Sequence, residues 1–180
     1  MCGLIVSKTL RDIRDIIEST SNRGTLSWTH SYLSCGALIT DKYNECLSHD
    51  KLNSIFVDGD YNVIHTQSPT NKTYRPHPSK INGSFLWHNG MLLKHNKGSW
   101  DTEHIHNMIL EDVRLLDAIE GSFACVWYEN NKWKVFRNIM SPLYQTVCYN
   151  NVVISSVPVN ETSAKIKPNK IYDMKTMFAT

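Results

Sequence analysis

The residue with the most chemistry within its own reach is Cys2, directly behind the initiator methionine. Cysteine is small enough for that methionine to be removed, which would leave Cys2 with a free α-amino group. An α-amine with a pKa of about 7.7–8.0 is partly neutral near pH 7 and can act as a base. A thiol with a pKa of about 8.5 needs only modest help to ionise. Nucleophile and base would then share one residue, as in N-terminal threonine enzymes. On position alone the plainer reading is a small buried hydrophobe, the commoner fate of a free cysteine. Two further places draw attention. Asn89-Gly90 is a tight-turn dipeptide, and Asp101 is a carboxylate where a helix should start, a routine capping position. His104 and His106 together with His88 or His95 could suggest a metal. However, His-x-His on a helix points its rings to different faces, and no carboxylate or thiolate set accompanies them, so no metal is expected. No glycine-rich phosphate loop occurs and no cofactor is called for.

The elements that must position these residues follow from periodicity. Gly3 to Val6 is a short apolar run and reads as a buried strand. Leu10, Ile13, Ile16 and Ile17 recur every three to four residues, which predicts an amphipathic first helix ending near Ser19 to Asn22. Arg23-Gly24 marks a turn. Cys35 to Thr40 reads as a second strand and Asp41 to Asp50 as loop. Ile55 to Gln67 carries a hairpin signal at Asp58-Gly59. Pro69 to Pro78, with three prolines, is a surface loop. Ser84 to Leu93 alternates, broken by the Asn89-Gly90 turn. Asp101 to Leu116 is the second helix, with Ile105, Met108, Ile109, Val113 and Leu116 on its apolar face. Strands follow at 123–128, 133–137, 143–149, 152–156 and 170–174, with turns at Asn130-Asn131 and Asn150-Asn151. The order strand, helix, strands, helix, strands fits an α+β fold of two antiparallel sheets face to face with helices outside.

Length and composition bound the rest. A chain of 180 residues suits one domain, 1–180. It is 41% hydrophobic, 20% charged and 10% aromatic, ordinary for a globular protein. A net charge of +2, scattered along the chain, gives no case for nucleic acid or a membrane surface as partner. No apolar run is long enough to span a bilayer, and the opening apolar stretch meets Lys8 too soon for a signal peptide. Five cysteines without C-x-x-C spacing argue for a reducing, cytoplasmic setting.

Met1-Cys2-Gly3-Leu4-Ile5 resembles the start of class II glutamine amidotransferase domains, whose mature chains begin Cys-Gly-apolar. Further blocks resemble that family in order and approximate spacing. They are Arg23-Gly24 followed by Ser34-Cys35-Gly36-Ala37, His65-Thr66-Gln67-Ser68-Pro69-Thr70, and His77-Pro78. Leu86-Trp87-His88-Asn89-Gly90, Ser99-Trp100-Asp101-Thr102-Glu103, Gly121-Ser122-Phe123-Ala124 and Arg137-Asn138 with Pro142-Leu143 continue the series. The resemblance covers residues 2 to about 156. It implies a four-layer α/β/β/α sandwich of the N-terminal-nucleophile hydrolase type and glutamine as substrate.

It also implies roles. Cys2 would attack the side-chain amide, with its α-amine moving the proton through a water. The Asn89 side chain and Gly90 N–H would hold the oxyanion, and Asp101 the substrate ammonium. Gln67, Thr70, His88 and Arg75 would line the substrate, supported by Arg23 and Gly24. Asn89-Gly90 remains readable as a plain hairpin turn, and Arg75 as a solvated loop charge. One departure stands out: the family usually has arginine where this chain has Gln67, so the grip on the substrate carboxylate is altered. Arg75 is the candidate replacement. Family members usually carry a synthase domain as well. The chain ends soon after its last expected strand, so a stand-alone domain passing ammonia to a separate synthase subunit is expected. The alternative is a catalytically weak or altered-specificity member, an amidase on another γ-glutamyl substrate or a binding module.

Overall fold

The computed structural model describes residues 2–68, 75–94, 99–148 and 151–177. In chain order its strands are β1 (Gly3–Ser7), β2 (Ser27–Ser34), β3 (Ala37–Tyr43), β4 (Asn62–Gln67), β5 (Ser79–Ile81) and β6 (Ser84–Leu92). They continue with β7 (Gly121–Glu129), β8 (Lys132–Arg137), β9 (Tyr144–Cys148), β10 (Asn151–Ser155), β11 (Ala164–Lys165) and β12 (Tyr172–Asp173). The α-helices are α1 (Ile17–Ser21), α2 (His49–Asn53), α3 (Asp101–Glu111) and α4 (Met174–Met177). The chain divides into two compact units, each built on one antiparallel sheet.

The first unit spans residues 1–69 and 143–165. Its seven strands lie in the order β11-β9-β10-β1-β4-β2-β3, which sets β1 and β4 at the centre. The run expected as one helix is a 3-10 stretch over Arg11–Ile16 leading into α1. Its Ile13, Ile16 and Ile17 pack with Leu52 of α2 onto Ile5, Trp28 and Ile64 of the sheet. Ser48 caps α2 by accepting from the Lys51 N–H. The remaining residues, 70–142 and 166–180, form the second unit, with strand order β12-β8-β7-β6-β5. Here Ile105 and Ile109 of α3 cover Leu86, Phe123, Trp127 and Phe136. Burial of these apolar faces supplies most of the stability in each unit.

Several local expectations change. Cys35-Gly36, expected inside a strand, is the turn joining β2 to β3, with φ of 50° and 79°. Its partner β2 went unforeseen although Trp28, His30 and Tyr32 alternate with Ser27, Thr29 and Ser31, the period of a half-polar strand. β3 runs on into residues expected as loop, and α2 follows. Asp58-Gly59 makes no hairpin. The Asn62 side chain gathers Val57 and Asp60 into a loop, and the Gly59 N–H donates to Lys8 O at 3.0 Å. The second helix stops at Glu111, where Asp112 turns the chain into a 3-10 stretch over Val113–Ala118. The last strand shrinks to two residues before α4. Asn130-Asn131 is a turn, both residues at positive φ. Asn150, like residues 69–74 of the proline-rich loop, lies outside the described residues. No helix among the described residues is long and apolar enough to cross a membrane. The expected α+β class with two antiparallel sheets is what the chain adopts.

Candidate functional site

The first unit gathers Cys2, Arg23, Gly24 and Gln67. Cys2 is half-buried at the entry to β1, its thiol in no disulfide. Its Sγ lies 3.9 Å from Ser68 O, and its carbonyl accepts from Arg23 Nε at 3.0 Å. The next residue is held from two sides: the Gly3 N–H donates to Thr66 Oγ1 (3.0 Å), and that hydroxyl donates to Thr20 O (2.9 Å). A Cβ on Gly3 would sit 2.5 Å from Thr66 Oγ1, so glycine is what lets β1 close against α1. Ser156 then clamps Leu4, its Oγ accepting from the Leu4 N–H and its own N–H donating to Leu4 O. Gly24 presses on the end of β4 so closely that a Cβ would lie 2.4 Å from Gln67 N. Gln67 is buried, and its carbonyl accepts from the Leu26 N–H at 3.1 Å. Leu4 pairs with His65, so strand alternation puts Cys2 and Gln67 on the sheet face opposite Ile5, Ile64 and the helices. Thr66 was quoted for its place in a motif, while its role as a strut for Gly3 shows only in three dimensions. Thr70 lies outside the described residues.

The second unit holds His88, Asn89, Gly90, Asp101 and Arg75. Asn89-Gly90 is not a turn. β6 runs straight through it, pairing His88, Asn89 and Gly90 with Cys125, Ala124 and Phe123 of β7. A Cβ on Gly90 would lie 2.0 Å from Ser122 O and 2.8 Å from His88 Nε2, so only glycine permits this approach. The His88 ring points toward α3. Its Nδ1 is 3.3 Å from Thr102 Oγ1 and 3.8 Å from an Asp101 carboxylate oxygen, and its Nε2 is 3.4 Å from Ser122 O. Burial lowers the His88 pKa, Asp101 opposes that, and burial prevails. His88 is held from behind by His77, whose Nδ1 accepts its backbone N–H and whose ring meets Trp100 edge-on at 4.8 Å. Asp101 does not cap α3 as expected: the N-cap is Trp100, without a side-chain hydrogen bond, and Asp101 is the first helical residue, its Oδ1 accepting the Thr102 N–H at 2.8 Å. Cys125, buried nearby, has its thiol pushed up by burial and by the Asp101 carboxylate, which keeps it protonated.

Asn89 faces the other way. It shares a cross-sheet row with Ala124 and Arg137, on the face away from α3, and is 3% exposed. Its carbonyl accepts from Ser141 Oγ at 3.3 Å. Ser141 sits on a rigid bend. The Asn138 carboxamide donates to Gly121 O (2.6 Å) and accepts the N–H groups of Phe123, Met140 and Ser141. Arg137 adds bonds to the carbonyls of Ile166, Asn138 and Ser141. Arg137 and Asn138 had no role in the sequence reading beyond resemblance, and Ser141 had none at all. A buried arginine followed by asparagine was the only signal.

Arg75 is exposed and paired with Glu103 Oε2 at 2.9 Å, two residues beyond Asp101 on α3. His106 hydrogen-bonds Ser84 Oγ (2.8 Å) and Ser79 Oγ (3.0 Å) and is a structural residue, its pKa lowered by burial to about 4. Among the described residues no group of three or more His, Cys, Asp or Glu is placed to hold a metal ion.

No protein-family model matches the chain, and no curated protein matches it significantly by sequence. Solved structures do match in three dimensions. One is the glutamine phosphoribosylpyrophosphate amidotransferase from B. subtilis, complexed with ADP and GMP: TM-score 0.70, 18% identity, over 96% of this chain and 47% of that one. Another, described as the allosteric regulatory enzyme of purine biosynthesis, gives TM-score 0.72 and 17% identity, over 96% and 46%. A third, a predicted glutamine amidotransferase from Pseudomonas aeruginosa PA01, gives TM-score 0.51 and 12% identity, over 94% and 91%. The chain spans about half the length of the first two. At these identities the likeness is one of fold alone.

Proposed function

We propose that residues 1–180 act as one glutaminase-type domain that hydrolyses the side-chain amide of glutamine and belongs to the class II glutamine amidotransferases. The observation that carries the reading is Cys2, held by Arg23 and Gly3 at the entry to a central strand, in a chain whose fold matches an amidotransferase over 96% of its length. After removal of Met1, Cys2 Sγ attacks the amide carbon. The carbonyl π electrons move onto oxygen, and the Asn89 side chain and Gly90 N–H donate to that oxyanion. The α-amine of Cys2 takes the thiol proton and delivers it to the departing nitrogen, so ammonia leaves as the C–N bond breaks. Water then opens the γ-glutamyl thioester to glutamate and regenerates the thiol. Asp101 binds the substrate ammonium, and His88 fixes Asp101 and the Gly90 segment while lining the substrate. Arg23 and Gly24 set Cys2 and Gln67. The ammonia passes to a separate synthase subunit.

Gln67 supports a second reading. Its buried carboxamide, where the resembled family has arginine, offers no charge to a substrate α-carboxylate, which suits a γ-glutamyl compound other than free glutamine. Arg75 could supply that charge only by leaving Glu103. The test is a reactive glutamine analogue with intact-mass readout. One adduct on a chain lacking Met1, mapped to Cys2, supports the nucleophile. A chain that keeps Met1, or an adduct that maps elsewhere, removes it. Comparing glutamine with γ-glutamyl amides in the Arg75→Ala protein then separates the two substrate readings.

A further inference from the structure

Donors that meet a developing charge act best when they are fixed before it forms. In the second unit the hydrogen bonds around Asn89-Gly90 do the fixing. Residues of an antiparallel strand turn their N–H and C=O groups to alternate sides. Phe123, the β7 partner of Gly90, is turned toward Asn138: its carbonyl accepts the Asn138 N–H at 3.0 Å, and its N–H donates to Asn138 Oδ1 at 3.2 Å. Gly90 and Phe123 are therefore a pair without mutual hydrogen bonds. Two residues before Gly90, the His88 N–H also points away from β7 and is taken by His77 Nδ1 at 3.3 Å. The Gly90 N–H follows it along that edge of β6, past Leu86, where the pairing with β5 ends.

One side chain ties this arrangement to the next bend. Besides Phe123, Asn138 Oδ1 accepts the N–H groups of Met140 and Ser141, while Nδ2 donates to Gly121 O. Asn138 thus closes the 138–141 bend and anchors it to Gly121 and Phe123, which pair with Leu92 and Gly90 of β6. The bend delivers Ser141, 5% exposed, so that its Oγ donates to Asn89 O at 3.3 Å. Alternation makes Asn89 and Ala124 a hydrogen-bonded pair, so Ser141 is a second donor on a carbonyl already facing β7. Ile139 and Met140, between Asn138 and Ser141, are 77% and 64% exposed.

From this network we infer that Asn138 and Ser141 are positioning residues for the oxyanion donors. Asn138 sets Phe123 and the bend, Ser141 sets the Asn89 main chain, and together they hold the Asn89 carboxamide and the Gly90 N–H in one fixed relation. The kinetic consequence rests on the glutaminase reading, whereas the hold on Asn89-Gly90 rests on the hydrogen bonds alone. A small displacement of such donors slows the chemical step and leaves ground-state binding of the substrate nearly as it was.

The experiment compares Ser141→Ala with Ile139→Ala, a change of an exposed side chain on the same bend. In ammonia release from glutamine, Ser141→Ala should lower kcat about tenfold with KM within about twofold, and Ile139→Ala should match the wild type. In an Asn89→Ala background, Ser141→Ala should cost less than its full tenfold, because it acts through a residue already removed. Amide NMR of the free full chain gives a readout that needs no substrate. The Asn89 carboxamide and Gly90 N–H signals should shift or broaden in Ser141→Ala and stay in place in Ile139→Ala. Unmoved signals in Ser141→Ala, or a wild-type kcat in that variant while Asn89→Ala is slowed, would overturn the inference. Equal ammonia release by the wild type and Asn89→Ala would instead overturn the role of Asn89 in the proposed function, with the amide signals still deciding the positioning.

Discussion

Two Asn-Gly steps lie seven residues apart in the second unit, and they do opposite things. Asn82-Gly83 is a two-residue hairpin turn between β5 and β6, both residues at positive φ (48° and 79°), with Ile81 paired to Ser84 across it. Asn89-Gly90 is stretched inside β6, hydrogen-bonded to β7, with Gly90 pressed onto Ser122. The dipeptide alone allows either fate. Its neighbours decide. Beyond Gly83 a Cβ would meet nothing within 4 Å, whereas beyond Gly90 it would meet main chain at 2.0 Å. One glycine is there for its backbone freedom, the other for its missing side chain, and the second is the one the proposed mechanism uses to hold an oxyanion.

The largest effect that could sharpen this contrast is on stability. Gly90→Ala should lose about 3 kcal/mol or more in urea unfolding, because main chain and the buried His88 ring must move. Gly83→Ala should lose only about 1 kcal/mol, the cost of a side chain at positive φ. Equal losses would erase the distinction. Next is catalysis. Asn89→Ala should lower the rate of glutamine hydrolysis about 10²–10³-fold. Asn82→Ala, out in the turn, should leave it unchanged.

The smallest effect concerns acid. His106 bridges Ser79 and Ser84 at the strands flanking the Asn82-Gly83 hairpin, with its pKa lowered from 6.5 to about 4 by burial. A depressed histidine pKa favours the neutral ring in the fold. Its stability contribution is present in full above pH 6.5 and is lost as pH falls toward 4. The wild type should therefore lose about 2 kcal/mol more than His106→Gln between pH 7 and pH 4.5. Matching losses would show that the ring does not carry this linkage.

The two Asn-Gly steps also show what the residues alone could and could not tell. The hairpin at 82–83 carried a plain turn signal that went unused, while the same signal was credited at 89–90, where strand pairing overrides it. Apolar periodicity correctly placed β1, α3 and the strand pairs β7–β8 and β9–β10, because each buries one regular face. It failed where a polar side chain organises the backbone, as Asn62 does around Val57 and Asp60. The candidate residues were legible as motif members. Their division between two sheets, and the clamp of Arg137, Asn138 and Ser141 behind Asn89, depends on long-range hydrogen bonds that no local pattern encodes.

Everything in the glutaminase assignment returns to the thiol at the head of β1. Ammonia release from glutamine by the processed wild-type chain, measured beside Cys2→Ala and Cys2→Ser, tests it most directly. The assignment predicts turnover in the wild type that falls to background in both variants while their urea midpoints stay near the wild-type value. Ammonia release by Cys2→Ala at the wild-type rate would contradict it.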